Sequence, residues 1–311
     1  MPAPETREAE HSVDVAAAAE TVYRQLADVA TWPTVFPPTL HVEHLEGDGD
    51  TERIRIWATA NGRAKQWTSR RRLDPSRKRI EFRQEVSAAP VASMEGAWTV
   101  EPLDPHRSRV RLHHRFRAVG DDPHGLDWID RAVDRNSNAE LAALKSHLER
   151  RDPEVLVFED TVRIRGPLEE VYAFVDRADQ WPVRLPHVAA VRLDEEEPGV
   201  QRLEMETRAP DGSTHTTVSY RVGFAPGRIV YKQTMLPALM TLHTGQWTFV
   251  QDGDDVAATS RHAVVVNEHA IPRVLGAAAT PDQAKEYVRS ALGANSRATL
   301  QLAKTSVERL R

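Results

Sequence analysis

The 311-residue chain has no cysteine. Disulfides, thiolate metal sites and a cysteine nucleophile are thereby excluded. An excess of basic charge is missing as well. Forty-one lysine and arginine residues stand against 46 aspartate and glutamate, a net charge of −5, which is not the balance of a nucleic-acid binder. No apolar run approaches the ~18 residues of a membrane span. The opening Met1-Pro2-Ala3-Pro4-Glu5-Thr6-Arg7-Glu8 has no apolar core and does not read as a signal peptide. These absences predict a soluble, cytoplasmic protein with neither a membrane nor a nucleic-acid partner.

What is present is a repeat. His11-Ser12-Val13-Asp14-Val15 returns as Asp160-Thr161-Val162-Arg163-Ile164, 149 positions on. The same shift relates Tyr23 to Tyr172, Trp32 to Trp181, Pro33 to Pro182, Gln84 to Gln233, Gly96 to Gly245 and Trp98 to Trp247. Later the shift grows to 159, and Asn136-Ser137 matches Asn295-Ser296. Repetition of this length predicts two complete domains of one fold, 1–152 and 153–311, joined by the short linker Arg151-Asp152-Pro153-Glu154.

Each copy reads alike. A short strand at Val13 and Val15 leads into a helix over 16–28, which Thr31-Trp32-Pro33 breaks. From His41 to Phe116 the pattern is of strands punctuated by turns such as Asn61-Gly62, Asp74-Pro75 and Asp104-Pro105. A long helix follows over about 123–150, its inner stripe marked by Ile129, Val133, Glu140, Leu141, Leu144 and Leu148. The second long helix opens with Thr280-Pro281-Asp282-Gln283, a capping box with proline at the first helical position. The order predicts an α+β class: two tandem helix-grip domains, each a curved antiparallel sheet wrapped around a long C-terminal helix with a cavity between them.

Strand parity sorts the side chains by face. Trp67, Ser69, Arg71 and Leu73 share one face, and their apolar ends make it the cavity side. Arg71 is then a cation in an apolar enclosure, in need of a carbonyl or anion. A core carboxylate as partner, or a solvated run of arginines, explains the same pattern. Leu112, His114 and Phe116 share an inward face, while His113 points out. An inward histidine serves a core as readily as catalysis, and the second copy keeps one at His262. Glu140 on the helical stripe needs either a cavity or a partner. Asn136 and Ser137 lie one turn earlier. At the 149 shift Trp67, Ser69 and Arg71 become Thr216, Val218 and Tyr220, and at the longer shift Glu140 becomes Thr299. The first copy is thus expected to hold the catalytic site and the second to be structural or ligand-binding. A one-residue slip would instead turn Ser219 and Arg221 inward and revive the second site.

Phe36-Pro37-Pro38-Thr39, Trp67-Thr68-Ser69-Arg70-Arg71, Leu73-Asp74-Pro75, Phe82-Arg83-Gln84 and Arg135-Asn136-Ser137 together resemble the aromatase/cyclases of bacterial type II polyketide synthases. The doubled layout resembles the di-domain members, which act on reduced polyketides. The resemblance implies the START-like helix-grip fold, and Arg71, His114 and Glu140 as catalytic residues. It implies a substrate pocket with Trp67, Ser69, Trp98, Phe116, Asn136 and Phe36 in its walls. Tyr220, His243, Trp247 and His262 are expected to line a pocket in the second domain. Aldol closure and dehydration of the first ring of a C9-reduced poly-β-ketone are the implied reaction, needing no metal and no cofactor. In that scheme Arg71 holds enolate charge, His114 moves protons and Glu140 orients one of the two or relays a proton. The implied partners are an acyl carrier protein bearing the chain on phosphopantetheine, and other synthase subunits. Arg70, Arg72, Arg77 and Arg79 are candidates for docking it. A non-catalytic carrier of a lipid or aromatic ligand is the alternative reading of the same fold.

Overall fold

The computed structural model describes residues 5–149, 154–208, 212 and 214–309. All but Glu154 of the expected linker lies outside them. The chain divides into two compact units, Met1–Pro153 and Glu154–Arg311.

The first unit begins with β1 (Arg7–Val15), α1 (Ala19–Ala27) and the short α2 (Trp32–Val35). Six strands follow: β2 (Thr39–Gly47), β3 (Thr51–Ala60), β4 (Arg63–Asp74), β5 (Arg79–Val86), β6 (Val91–Asp104) and β7 (Arg107–Ala118). The 27-residue α3 (Pro123–Glu149) closes it. The second unit repeats the plan with β8 (Val155–Arg165), α4 (Leu168–Asp176), α5 (Trp181–Arg184), β9 (Val188–Glu197), β10 (Val200–Arg208), β11 (Thr214–Phe224), β12 (Arg228–Met235), β13 (Met240–Asp252) and β14 (Asp255–Val266). It adds α6 (Ile271–Leu275) before its own long helix, α7 (Pro281–Glu308).

Each unit forms one seven-stranded antiparallel sheet, in the orders β1-β7-β6-β5-β4-β3-β2 and β8-β14-β13-β12-β11-β10-β9. Local chemistry explains the joints. Asn61 and Gly62 both take positive φ, the geometry of a two-residue hairpin loop, and Ala60 pairs directly with Arg63. Pro33 sits in the first turn of α2, where its missing N–H is harmless. Thr280 Oγ1 accepts from the Gln283 backbone N–H at 3.2 Å while the Gln283 side chain accepts from the Thr280 N–H at 2.8 Å, completing the expected capping box. Burial of the inner faces then drives each sheet onto its helix. In the first unit Val22, Leu26, Ile54, Ile80, Val110, Leu112 and Leu144 form the main core. Met94, Phe116, Leu126, Ile129 and Val133 form a second cluster under the opening turns of α3. The space between the two clusters is the cavity.

Candidate active site

The cavity of the first domain, about 160 Å³, lies between the concave sheet face and α3. Trp32, Phe36, Ile54, Trp98 and Leu112 form its closed end. Ala60, Ala88, Ala89 and Trp128, all partly or fully exposed, mark the other. Phe36 stacks on Trp98 with ring centroids 6.1 Å apart and meets Trp32 edge-on. These flat walls are lined with few polar groups: Ser69, Arg71, Gln84, His114, Asn136, Ser137 and Glu140 among them. Trp67, Ser69, Trp98, Asn136 and Phe36 all line it as expected. Phe116 does not. Its ring lies in the cluster with Met94 and Leu126, one strand position beyond the cavity wall.

Arg71 is 1% exposed. Its Nη1 is 2.8 Å from Glu52 Oε1, its Nη2 donates to the Leu26 carbonyl at 2.9 Å, and Nη1 donates to that of Ala27 at 3.3 Å. The guanidinium sits 5.0 Å from the Trp32 ring centroid. Burial pulls its pKa down to about 10, against which the Glu52 charge raises it. The residue is thus a cation at any working pH, anchored at its far end, with Nε left without a partner. Glu52 is the core carboxylate that parity alone left open. It shares its face of β3 with Ile54, Ile56 and Ala58, so the same alternation reveals it.

His114 shows its ring edge to Phe82 at 5.4 Å, and its Nδ1 has no partner. Gly96 opposite makes room. A Cβ there would lie 2.6 Å from Phe82 Cζ and 2.0 Å from the His113 carbonyl oxygen. Desolvation lowers the His114 pKa to about 3, so the ring is neutral. Glu140 projects from α3 into the same cavity with no hydrogen bond or ion pair among the described residues, and desolvation alone raises its pKa to about 8. Its carboxyl is therefore protonated at neutral pH. The expectation that Glu140 orients Arg71 or His114 is corrected here: Glu52 and two backbone carbonyls hold the arginine, and no charge on Glu140 acts on the histidine. Asn136 fastens α3 to the sheet, donating to the Thr59 carbonyl at 2.9 Å.

The comparison of the two copies is also corrected. Arg71 pairs across the hairpin with Glu52, and Arg221 pairs with Gln201. Glu52 and Gln201 keep the 149 shift while Arg71 and Arg221 are 150 apart, so the second hairpin is one residue longer. The equivalents of Ser69 and Arg71 are Ser219 and Arg221, not Val218 and Tyr220. Arg221 repeats the anchoring of Arg71, donating to the Val175 carbonyl at 2.7 Å and to Gln201 Oε1 at 2.9 Å, and lying 5.3 Å from the Trp181 ring. Tyr220 shares the opposite sheet face with Arg202 and Lys232, away from Arg221. The aromatic residue beside the second histidine is Tyr231, the counterpart of Phe82, which sequence reasoning passed over.

Around His262 the polar atoms close on one another. Its Nδ1 is 3.0 Å from His243 Nε2 and 3.1 Å from Tyr231 Oη, and its Nε2 is 2.8 Å from Ser296 Oγ and 3.1 Å from Ser260 Oγ. His243 Nδ1 reaches Gln233 Oε1 at 2.9 Å. Burial lowers the pKa of His243 to about 3 and that of His262 to about 4. Trp247 is buried in the main core of that domain. Among the exposed arginines considered for docking, Arg70 binds Glu85 at 2.7 Å, Arg77 lies near Asp74 at 3.8 Å and Arg79 is engaged by Glu81 at 3.1 Å.

The polyketide cyclase/dehydrase and lipid transport family model matches the chain twice, over residues 6–149 and 156–308, once per domain. The chain is 52% identical over 302 residues to the granaticin polyketide synthase bifunctional cyclase/dehydratase of Streptomyces virginiae, covering 94% of this chain and 97% of that one. It is 45% identical over 304 residues to the actinorhodin polyketide synthase bifunctional cyclase/dehydratase of Streptomyces coelicolor, covering 94% of each. Among solved structures, the di-domain ARO/CYC BexL from the BE-7585A biosynthetic pathway superposes with a TM-score of 0.85 at 57% identity, covering 97% of this chain and 99% of that one. The di-domain ARO/CYC StfQ from the steffimycin biosynthetic pathway gives 0.81 at 34% identity, covering 97% and 98%.

Proposed function

The chain belongs to the polyketide cyclase/dehydrase and lipid transport family, and on that premise we propose that its first domain closes and aromatises the first ring of a C9-reduced poly-β-ketone carried by an acyl carrier protein. It is a cyclase/dehydratase of aromatic polyketide biosynthesis, built as two tandem START-like domains. The observation that carries the finer reading is the pairing of a neutral imidazole and a neutral carboxyl in one apolar cavity, both without protein partners.

A flexible chain of ketones closes spontaneously in several registers. A narrow cavity walled by Phe36, Trp67 and Trp98 limits it to one, with one methylene held against one carbonyl. His114 accepts a proton from that methylene. The enolate attacks the carbonyl carbon, a C–C bond forms, and the carbonyl π pair moves onto oxygen. The unpartnered Nε–H of Arg71, backed by its positive charge, faces developing oxyanion charge. His114 returns its proton to that oxygen, and Glu140 then gives its own proton to the resulting hydroxyl, which leaves as water while His114 takes the neighbouring C–H proton. Each step is an addition or elimination with no change of oxidation state. The second domain, whose equivalent histidine is fully hydrogen bonded, serves structure or ligand binding in this scheme. The enzyme works in the cytoplasm beside the other synthase subunits.

A reconstituted synthase that delivers C9-reduced and unreduced chains to the full-length protein tests this. The reduced chain should be turned into the aromatic first ring, and His114→Ala should slow that step about 10²–10³-fold. Equal handling of both chains, or wild-type behaviour of His114→Ala, overturns the reading. So does tight product binding without acceleration, which would mark a carrier.

A further inference from the structure

His11 and Asp134 form a pair that the scheme above leaves unused. His11 stands on β1 directly opposite Leu112, on the face that also carries His114 two positions along β7. A diagonal pair of this kind is within reach of ring side chains. Asp134 is on α3, and its Oδ1 is 3.0 Å from His11 Nε2. The Asp134 side chain is 71% exposed, whereas that of His11 is 13% exposed. His11 Nδ1 is buried with no partner, and so is His114 Nδ1. His11 is also the leading charge-type influence on His114 after burial itself. One ring thus lies in the cavity wall, the next is inside the sheet–helix seam, and a carboxylate stands in water beyond.

We propose that His11 and Asp134 are positioning residues that carry protons between His114 and bulk solvent, resetting the cavity after each turnover. The proposal rests on the cyclase/dehydratase reading. If His114 takes a proton from carbon and Glu140 gives one to the departing oxygen, a cycle leaves an imidazolium and a carboxylate. One proton must leave His114 and one must return to Glu140. An imidazolium at His114 stands among Phe82, Leu112 and Gly96, whereas one at His11 stands against a carboxylate. The other titratable neighbours do not compete: His113 is on the outer sheet face, and Glu140 exerts no charge effect on His114. The proposed path needs a water between the two Nδ1 atoms, which would give each lone donor or acceptor a partner.

The second domain supplies the contrast. There the His11 position is Asp160, opposite Ser260. Asp134 is replaced by Gly293, and Asn138 by Arg297, which binds Asp160 at 2.7 Å. A Cβ on Gly293 would lie 2.9 Å from Asp160 Oδ2. An arginine–carboxylate pair holds its protons permanently and cannot pass them on. Among the described residues the histidine–carboxylate pair is thus found in one copy only, the copy with His114 and Glu140.

The test replaces His11 by Gln, which keeps a hydrogen bond to Asp134 but carries no titrating proton, in the full-length protein. Steady-state turnover with the carrier-bound chain should fall roughly tenfold in kcat with KM unchanged, and added imidazole should restore it. Asp134→Asn should show a smaller loss. Independently, ¹⁵N-histidine spectra of the substrate-free protein should show the His114 tautomer ratio and its pH titration altered in His11→Gln. That spectrum decides the proposal even if the wild-type protein turned over no polyketide, which would reject the proposed function instead. Identical His114 spectra in both proteins, or a kcat loss that imidazole leaves unchanged, overturns the relay.

Discussion

Replacing Glu140 by Gln should make the protein more stable and less active, by amounts that the cavity fixes. The side chain is desolvated, and no partner offsets the cost of its charge. Free, such a carboxyl titrates near 4.5; in the cavity it titrates at about 8. The folded state therefore binds a proton that the unfolded chain releases between those values. Stability falls as pH rises through this window and levels off above it. At 1.36 kcal/mol per pH unit, the 2.5 units from 4.5 to 7 correspond to about 3 kcal/mol. Glutamine has the same shape and no proton to lose. Its advantage over wild type should be negligible below pH 4.5, about 3 kcal/mol at pH 7, and greatest above pH 8. Glu140 faces a cavity that water can enter, so the measured difference should fall at or below these figures. Urea unfolding of both proteins between pH 5 and 9, followed by tryptophan fluorescence, reads it. The same substitution removes the proposed proton donor to the departing hydroxyl and should lower kcat for dehydration about 10²-fold. A stability difference that does not grow with pH, or a glutamine variant less stable than wild type at pH 8, would refute the claim that this carboxyl is held neutral by burial alone.

The arginine anchor makes a second case. Glu52→Gln should cost no more than about 1 kcal/mol, because the second domain already pairs Arg221 with Gln201 at 2.9 Å in the same place. Arg71→Met should cost about 3–5 kcal/mol by stranding Glu52 and the Leu26 carbonyl; calorimetric melting separates the two, and equal losses would deny that the anchor is a hydrogen-bonding unit. The two histidines should also part company. His262→Phe leaves Ser260, Ser296 and His243 short of partners and should destabilise the second domain by about 2–4 kcal/mol while the rate of ring formation stays within twofold. Loss of ring formation in folded His262→Phe would place chemistry in the second domain.

Periodicity made the architecture legible. Seven strands, a short helix pair and a long final helix leave strong local signals, and the repeat states them twice. Parity in β4 and β7 placed Arg71, Ser69 and His114 on the cavity side because a strand bound on one face cannot alternate otherwise. Partners were less visible. Glu52 lies 19 positions from Arg71, and only the hairpin register brings them together. Phe116 shares the parity of His114 and still misses the cavity, because α3 covers that end of the sheet with Leu126 and Ile129. The mistaken match of Arg71 with Tyr220 has one cause. A single extra residue between Arg208 and Thr214 exchanges the faces of β11, and the next turn, 225–227 against 75–78, is one residue shorter, so Trp181 before and Gln233 after both keep the 149 shift.

Corrected for that residue, the two copies no longer differ by loss of a cation and a serine. They differ in what surrounds the shared histidine. Phe82, Met94 and Leu112 in the first domain stand where Tyr231, His243 and Ser260 stand in the second. Apolar neighbours offer no hydrogen bonds, so the His114 ring is desolvated and its nitrogens remain available to whatever enters the cavity. Polar neighbours satisfy His262 at both nitrogens, and a satisfied buried network is rigid and costly to open. The same contrast holds on the helix, where Glu140 lacks a partner and Thr299 in its place bonds back to the Asn295 carbonyl at 2.9 Å. A site that binds and transforms a ligand must keep polar atoms unspent until the ligand arrives. By that criterion the first domain fits the proposed reaction and the second a structural role, although both carry the same arginine, the same serine and the same histidine.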